Sequence, residues 1–262
     1  MHLLSLINPL YVVSGLAVGV LVGLTGVGGG SLMTPLLVLL FGIHPTTAVG
    51  TDLLYAAATK TVGTGVHGLR QNVRWSIVAR LAAGSIPASA VTLWFLAQQA
   101  RQPAAANALI SVALGWTLLA TAIALLFRKT IVAFFAKRLT ELEPGQTTVF
   151  TILLGAVLGV LVSLTSVGAG AIGMTALLIL YPRMDVARLV GSDIAHAVPL
   201  TLLAGLGHWL MGSVNWLLLA SLLAGSIPGI VVGSLLASRL PDGVLRPVLA
   251  ATLVLVGVKL VT

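Results

Sequence analysis

Two glycine-rich turns in this chain have the residue types that bind an anion. They span residues 25–31 and 165–171, and each one follows an apolar segment and opens another. Such a turn leaves backbone N–H groups free at the positive end of a helix dipole, which suits an oxyanion. Close helix packing is the competing interpretation, and it fits Gly15, Gly19 and Gly23 better. The predicted anion-binding residues are Thr25, Gly26, Gly28, Gly29, Gly30, Ser31, Thr165, Ser166, Gly168 and Gly170.

Ionisable side chains within apolar stretches form a second candidate set. Asp52 and Asp193 lie about 9 Å inside two equivalent segments, and intramembrane carboxylates often mark ion or proton pathways. Alternatively, each Asp offsets a helix N-terminus or bonds between helices. Lys60 is predicted to attract the anion or pair with Asp52, unless its long stem carries the charge to water. Tyr55 and His196, one turn beyond the acids, either line the pathway or pack between helices.

The composition of the chain places these residues in a membrane. The 262 residues are 58% hydrophobic and 8% charged, with a mean hydropathy of +1.11, whereas a soluble domain carries about 25% charged residues. This argues against a cytosolic enzyme and predicts a polytopic membrane protein. Cysteine is absent from the sequence, and neither a metal nor a cofactor is predicted. The net charge of +8 fits inward-facing loops rather than nucleic-acid binding.

The second half of the sequence repeats the first. Residues 15–28 return as residues 155–168, and after one inserted residue the spacing becomes 141. Chance similarity between apolar stretches does not explain why rarer residues match at that spacing. The matched pairs are Gly50 with Gly191, Asp52 with Asp193, His67 with His208, Trp75 with Trp216, and residues 83–87 with residues 224–228.

Each repeat is predicted to contain five helical segments. In the first repeat these are residues 10–26, 31–42, 46–66, 75–98 and 104–127, and residues 148–261 repeat the series. The second segment, at about 18 Å of helix, is too short to cross about 30 Å of hydrocarbon. Together with the first it is predicted to form a re-entrant hairpin. The predicted parts of one integrated domain are residues 1–127, a cytoplasmic amphipathic linker at 128–147, and residues 148–262.

The distribution of positive charge predicts the orientation of the repeats. Helix parity places on one face the loop with Arg70 and Arg74, the central linker, the loop with Arg183 and Arg188, and the turn between Arg239 and Arg246. The positive-inside rule makes that face cytoplasmic. Both termini then face outward, and equivalent loops of the two halves lie on opposite sides. This predicts inverted-topology repeats whose glycine-rich turns meet near the membrane midplane. Residues 1–10 lack a positive region, so we expect them to belong to the mature protein.

These motifs together resemble the TauE/SafE sulfite exporter family. The resemblance rests on the Gly-Val-Gly-Gly-Gly turn at 26–30, Pro35, the Ala-Val-Gly-Thr stretch at 48–51, and their return in the second half. It covers residues 10–261 and implies a transporter of sulfur oxyanions or organosulfonates, with export linked to an ion gradient. The second half departs from the pattern, because Ala169 replaces a glycine and Ala176 stands where Pro35 does. Its turn therefore either binds differently or only shapes the site.

The leading functional hypothesis is a multi-pass secondary transporter of small anions in the cell membrane, with protons as possible co-substrates. A passive anion channel or uniporter would use the same pore. A membrane-embedded enzyme is disfavoured because such a site needs clustered carboxylates or histidines near one interface, and both glutamates, Glu141 and Glu143, lie in the linker. The sequence leaves the anion, the coupling ion and any oligomeric state open.

Overall fold

The computed structural model describes residues 9–25, 30–69, 71–99, 102–139, 143–236 and 242–261, and every regular element in these ranges is a helix. The first half contains α1 (Pro9–Thr25), α2 (Gly30–Leu39), α3 (Pro45–Leu69), α4 (Trp75–Gln99) and α5 (Pro103–Leu126). The connecting helix α6 (Arg128–Leu139) follows. The second half contains α7 (Pro144–Thr165), a π-helical turn (Ala169–Gly173) that runs into α8 (Met174–Leu180), α9 (Val186–Leu210), α10 (Trp216–Leu236) and α11 (Asp242–Val261).

The helices confirm the predicted all-α polytopic membrane protein. In the described ranges, α4, α5, α7 and α9 are long and apolar enough to cross a membrane, and shorter apolar helices occur at Pro9–Leu21, Ala169–Leu180 and Trp216–Val232. Helix α2 has ten residues, or about 15 Å of rise, which is less than the hydrocarbon thickness. Helix α2 is therefore too short to span.

Helices of one half pack mainly against helices of the other. Helix α1 packs against α10, α4 against α7, α3 against α9, and α5 against α11. The first segment of each half thus lies on the fourth segment of the other half, while the third and fifth segments pair with their own equivalents. Any site between α3 and α9 is consequently built from both halves.

Glycines bring these paired helices into backbone contact. A Cβ atom at any of four glycines would collide with backbone of the facing helix, and the contacts recur at the repeat spacing. The pairs are Gly15 with Leu222, Gly155 with Leu81, Gly84 with Ile152, and Gly225 with Val12. In lipid, helices associate through close packing because there is no hydrophobic drive between them. The small-residue interpretation of Gly15 therefore has a direct structural basis.

Helix α7 begins four residues before the start predicted for the second repeat. Glu143 and Gln146 form a reciprocal capping box, and Pro144 occupies the first turn. Both features favour a helix start because they satisfy or remove backbone donors that lack helical partners. As a result, α7 reaches 22 residues, which is enough to cross the membrane.

Candidate substrate-binding site

The second glycine-rich turn breaks a helix. Helix α7 ends at Thr165, and the next residues have left-handed backbone, with φ of 59° at Ser166 and 115° at Gly168. The latter value suits glycine because a Cβ would be strained there. A π-helical turn follows, closed by a hydrogen bond from the Gly173 N–H to the Gly168 carbonyl at 3.1 Å. The fold thus interrupts the helix where the sequence predicts a binding turn.

Side chains satisfy the backbone groups that this break exposes. The Thr165 hydroxyl donates to the Leu161 carbonyl at 2.7 Å and accepts from the Val167 N–H at 3.2 Å. His208 Nε2 donates to the Ser163 carbonyl at 2.9 Å, since a carbonyl can only accept. Irregular backbone at membrane depth requires such partners. Thr165 therefore positions the turn with its hydroxyl, and the predicted contact between Thr165 and an anion remains a prediction.

Ser166 presents a free hydroxyl beside Asp52. The residue is 4% exposed, and its Oγ has no hydrogen-bond partner among the described residues. The Asp52 carboxyl lies close enough for the two groups to interact. Ser166 belongs to the second half and Asp52 to α3 of the first. The broken helix of one half thus faces the acid of the other.

Asp52 lies fully buried between α3 and α2. The Thr34 hydroxyl of α2 donates a hydrogen bond to Asp52 Oδ2. The other carboxyl oxygen has no partner within the described part of the chain. An unsatisfied carboxyl oxygen in an apolar interior is costly, so a proton, an ion or a bound ligand would stabilise it.

Asp193 occupies the equivalent position in α9 but has different neighbours. It is 6% exposed, and a Cβ atom at Gly173 would lie 3.1 Å from Asp193 Oδ1. This carboxyl therefore faces the π-helical turn. Thr175, the equivalent of Thr34, donates instead to Ala171 of its own helix at 2.7 Å, and Asp193 Oδ1 has no partner in the described ranges. The two acids share burial but differ in their donors.

Lys60 lies on α3, within electrostatic range of both acids. Its charge acts on both Asp52 and Asp193, although among the described residues neither acid comes within the 4.0 Å that defines an ion pair. Lys60 is 9% exposed, so its stem does not carry the ammonium group into open water. The site thus contains one buried lysine near two buried carboxyl groups.

Tyr55 and His196 form matched contacts between the halves. His196 Nε2 and the Ser85 hydroxyl of α4 lie 2.8 Å apart. Tyr55, the equivalent of His196, faces Ser226 of α10, which is the equivalent of Ser85. Both ring side chains are fully buried. They join each third segment to the fourth segment of the other half.

Sequence reasoning overlooked the hydroxyl residues that position the acids. The Asn215 N–H donates to the Thr51 hydroxyl at 3.1 Å, and the Arg74 N–H donates to the equivalent Ser192 hydroxyl at 2.8 Å. Each acid is therefore preceded by a hydroxyl that anchors the loop of the opposite half. A hydroxyl residue before both acids was the available signal. Thr34 offered no comparable signal, because its contact depends on how α2 lies against α3.

The first glycine-rich turn falls largely outside the described residues. Gly26, Gly28 and Gly29 lie outside them altogether. Thr25 ends α1, and Gly30 and Ser31 begin α2, but the structure does not describe their side chains. Gly168 and Gly170 lie at the second break, beside Ser166. The structure thus brings together the second turn, Lys60, Asp52, Asp193, Tyr55 and His196.

Interleaved helices around a buried polar site define a polytopic membrane protein of the transporter class. Residues 11–260 match the family described as sulfite exporter TauE/SafE, and the chain belongs to this family. The resemblance in the glycine-rich motifs is thereby confirmed.

Two curated relatives cover most of the chain. The probable membrane transporter protein YjnA of Bacillus subtilis (strain 168) is 39% identical over 213 residues, which is 81% of this chain and 83% of that protein. The probable membrane transporter protein YdhB of the same organism is 27% identical over 211 residues, covering 78% of this chain and 80% of that protein. No solved structure matches.

Proposed function

We propose that this protein is a secondary transporter that exports a small sulfur oxyanion or organosulfonate, with sulfite as the first candidate, coupled to an ion gradient. The observation that carries the proposal is the buried set of Asp52, Asp193 and Lys60 at the broken helix, contributed by both halves. Ionisable groups at this depth are expensive and usually functional. The family description and the relatives' names support a membrane transporter.

The anion is proposed to bind at the second break, near Lys60. The lysine supplies the positive charge, and the Ser166 hydroxyl is an available donor. Backbone N–H groups at the start of the π-helical turn point along a helix whose positive end faces the break. Gly168 and Gly170 keep this approach free of side chains.

The two carboxyl groups are proposed to couple anion movement to protons. An anion beside an ionised carboxylate is repelled, so anion and proton bind best together. A divalent anion that travels with one proton still carries negative charge. The membrane potential, negative inside, favours its export by about 2.3 kcal/mol per charge for each 100 mV. This exceeds the cost of about 1.4 kcal/mol per pH unit for moving the accompanying proton out of an alkaline interior.

Alternating access is proposed to arise from the matched halves. Helix pairs α1–α10 and α4–α7 make equivalent glycine–backbone contacts. An arrangement that opens the site on one side therefore has a counterpart that opens it on the other, as expected for inverted repeats.

The test is flux of labelled sulfite into proteoliposomes that contain the purified full chain. Vesicles with an alkaline lumen are compared with vesicles at equal pH, each with and without an imposed potential. Concentration of sulfite that follows both gradients is the expected result. Flux that only equilibrates contradicts coupling and favours a channel. Flux of thiosulfate or a sulfonate, without flux of sulfite, contradicts the assigned substrate but keeps the transporter.

A further inference from the structure

A cavity lies where the loop between α8 and α9 meets the beginnings of α4 and α7. Its volume is about 420 Å³. Asp185 is the one acid among the described residues that line it, and it pairs with Arg188 at 3.8 Å. The lining contains four arginines, drawn from both halves: Arg74, Arg80, Arg183 and Arg188. The cavity therefore has a marked excess of positive charge.

Hydrogen bonds position the backbones of two of these arginines and the guanidinium of a third. The Ser192 hydroxyl accepts from the Arg74 N–H at 2.8 Å and donates to the Arg188 carbonyl at 2.6 Å. One side chain thus joins the backbones of two arginines from different halves. The Arg80 guanidinium donates to the Tyr181 hydroxyl at 3.3 Å, and that hydroxyl lies 2.8 Å from Thr151. The guanidinium of Arg80 is therefore held toward the loop.

Three helices begin at this cavity. Helix α4 starts directly after Arg74, α9 starts directly after Asp185, and α7 starts at Pro144, which also lines the cavity. The N-terminal end of a helix carries a partial positive charge. These ends add to the guanidinium charge. Asp193 lies about 10 Å further along α9, at 1.5 Å per residue, so the cavity is next to the central site.

The repeat offers an internal comparison. At a spacing of 141 residues, the equivalents of the four arginines are all uncharged: Asn215, Ser221, Gly42 and Thr47. The same architecture thus forms the opposite end of the molecule without these charges. A positive-inside bias accounts for basic residues on one face. It does not account for their convergence on one cavity, where Ser192 joins the backbones of Arg74 and Arg188 and Tyr181 accepts from the Arg80 guanidinium.

We propose that this cavity is a second anion site, a vestibule that takes a small oxyanion of sulfur or phosphorus before a transported anion reaches the central site. A guanidinium presents parallel N–H donors that match the oxygens of such an ion. A phospholipid phosphate has the same chemistry, so a free ion and a lipid headgroup are both sources of the ligand. The site goes beyond the proposed transport function and is testable without transport.

The experiment measures binding to the delipidated full chain in detergent. Inorganic sulfate and phosphate are titrated by calorimetry at low salt, and native mass spectrometry counts retained anionic phospholipid. We expect Arg183→Gln to weaken binding of the ion about tenfold, as for a lost charge-assisted hydrogen bond. Tyr181→Phe, which frees Arg80, should weaken it less. Lys129→Gln on α6 removes the same charge outside the cavity and should leave affinity unchanged.

The outcomes separate the two sources of the ligand. Ion binding that is weakened by Arg183→Gln but not by Lys129→Gln supports a site for a free anion. Absence of ion binding, with one anionic phospholipid held by the wild type and lost in Arg183→Gln, supports the same site with a headgroup as ligand. Equal affinities in all variants, or equal losses in Arg183→Gln and Lys129→Gln, overturn the proposal that this cavity is an anion site. Asp193→Asn, a variant of the central site, should retain anion binding in this cavity. A failure of the proposed transport function is therefore distinguishable from a failure of the cavity as an anion site.

Discussion

The Thr34 hydroxyl of α2 donates a hydrogen bond to Asp52 Oδ2 of α3, 18 residues away. Thr175, its equivalent, donates to Ala171 within its own helical segment instead. The repeat has therefore kept both threonines but uses one of them to hold an acid of the central site. The short second segment of the first half is in this way joined to the helix that carries Asp52 and Lys60.

This difference makes Thr34→Val and Thr175→Val a matched pair. Thr34→Val should destabilise the protein by about 1–3 kcal/mol, because it leaves a buried carboxyl oxygen without its donor. Thr175→Val removes a bond within one helix and should cost less than about 1 kcal/mol. Thermal unfolding in detergent measures both. Equal losses in the two variants would contradict a special role for Thr34.

Neutralising an acid of the central site should uncouple transport. Asp52→Asn and Asp193→Asn keep the side-chain shape but remove the proton-binding group. One pH unit is worth about 1.4 kcal/mol per proton, or about tenfold accumulation, and we expect either variant to lose that factor. Labelled anion uptake into vesicles with an alkaline lumen measures it.

Glu143→Gln provides the control for the coupling test. Glu143 is exposed at the start of α7, and a glutamine side chain still accepts the capping hydrogen bond, so the variant removes the same charge from the surface and should keep pH-driven accumulation. If both central variants accumulate the anion as the wild type does, protons are not carried by these acids.

Local pattern predicted the helices of this protein well and their contacts poorly. Helix α4 was predicted at residues 75–98 and occurs at Trp75–Gln99, because apolar length and turn residues mark such boundaries. The contact of Ser166 with Asp52 joins residues more than a hundred positions apart. No local periodicity contains that information, since it depends on which helices of the two halves pair. The hydrogen bond from His208 Nε2 to the Ser163 carbonyl was not predicted for the same reason.

The glycine contacts between paired helices predict a strong effect of one methyl group. At Gly84 a Cβ would collide with the Ile152 carbonyl, so Gly84→Ala should destabilise the protein by about 1–3 kcal/mol through overpacking. Gly65 lies in α3 with nothing within 4 Å of an added Cβ. There, Gly65→Ala should stabilise the helix by about 0.5–1 kcal/mol. Thermal unfolding in detergent reads out both, and a tolerated Gly84→Ala would show that α4 and α7 can move apart at little cost.

Gly173 should be sensitive to substitution in function more than in folding. A Cβ there would lie 3.1 Å from both Asp193 Oδ1 and Leu158 Cδ1, and Leu158 is a side chain that can shift slightly. Gly173→Ala should therefore cost less than about 1.5 kcal/mol in stability while reducing anion flux about tenfold or more, because the methyl group occupies space beside the acid. Gly63→Ala, whose Cβ would make an ordinary 3.4 Å contact with Ile194, is the control. Wild-type flux in a folded Gly173→Ala variant would place the anion away from the π-helical turn.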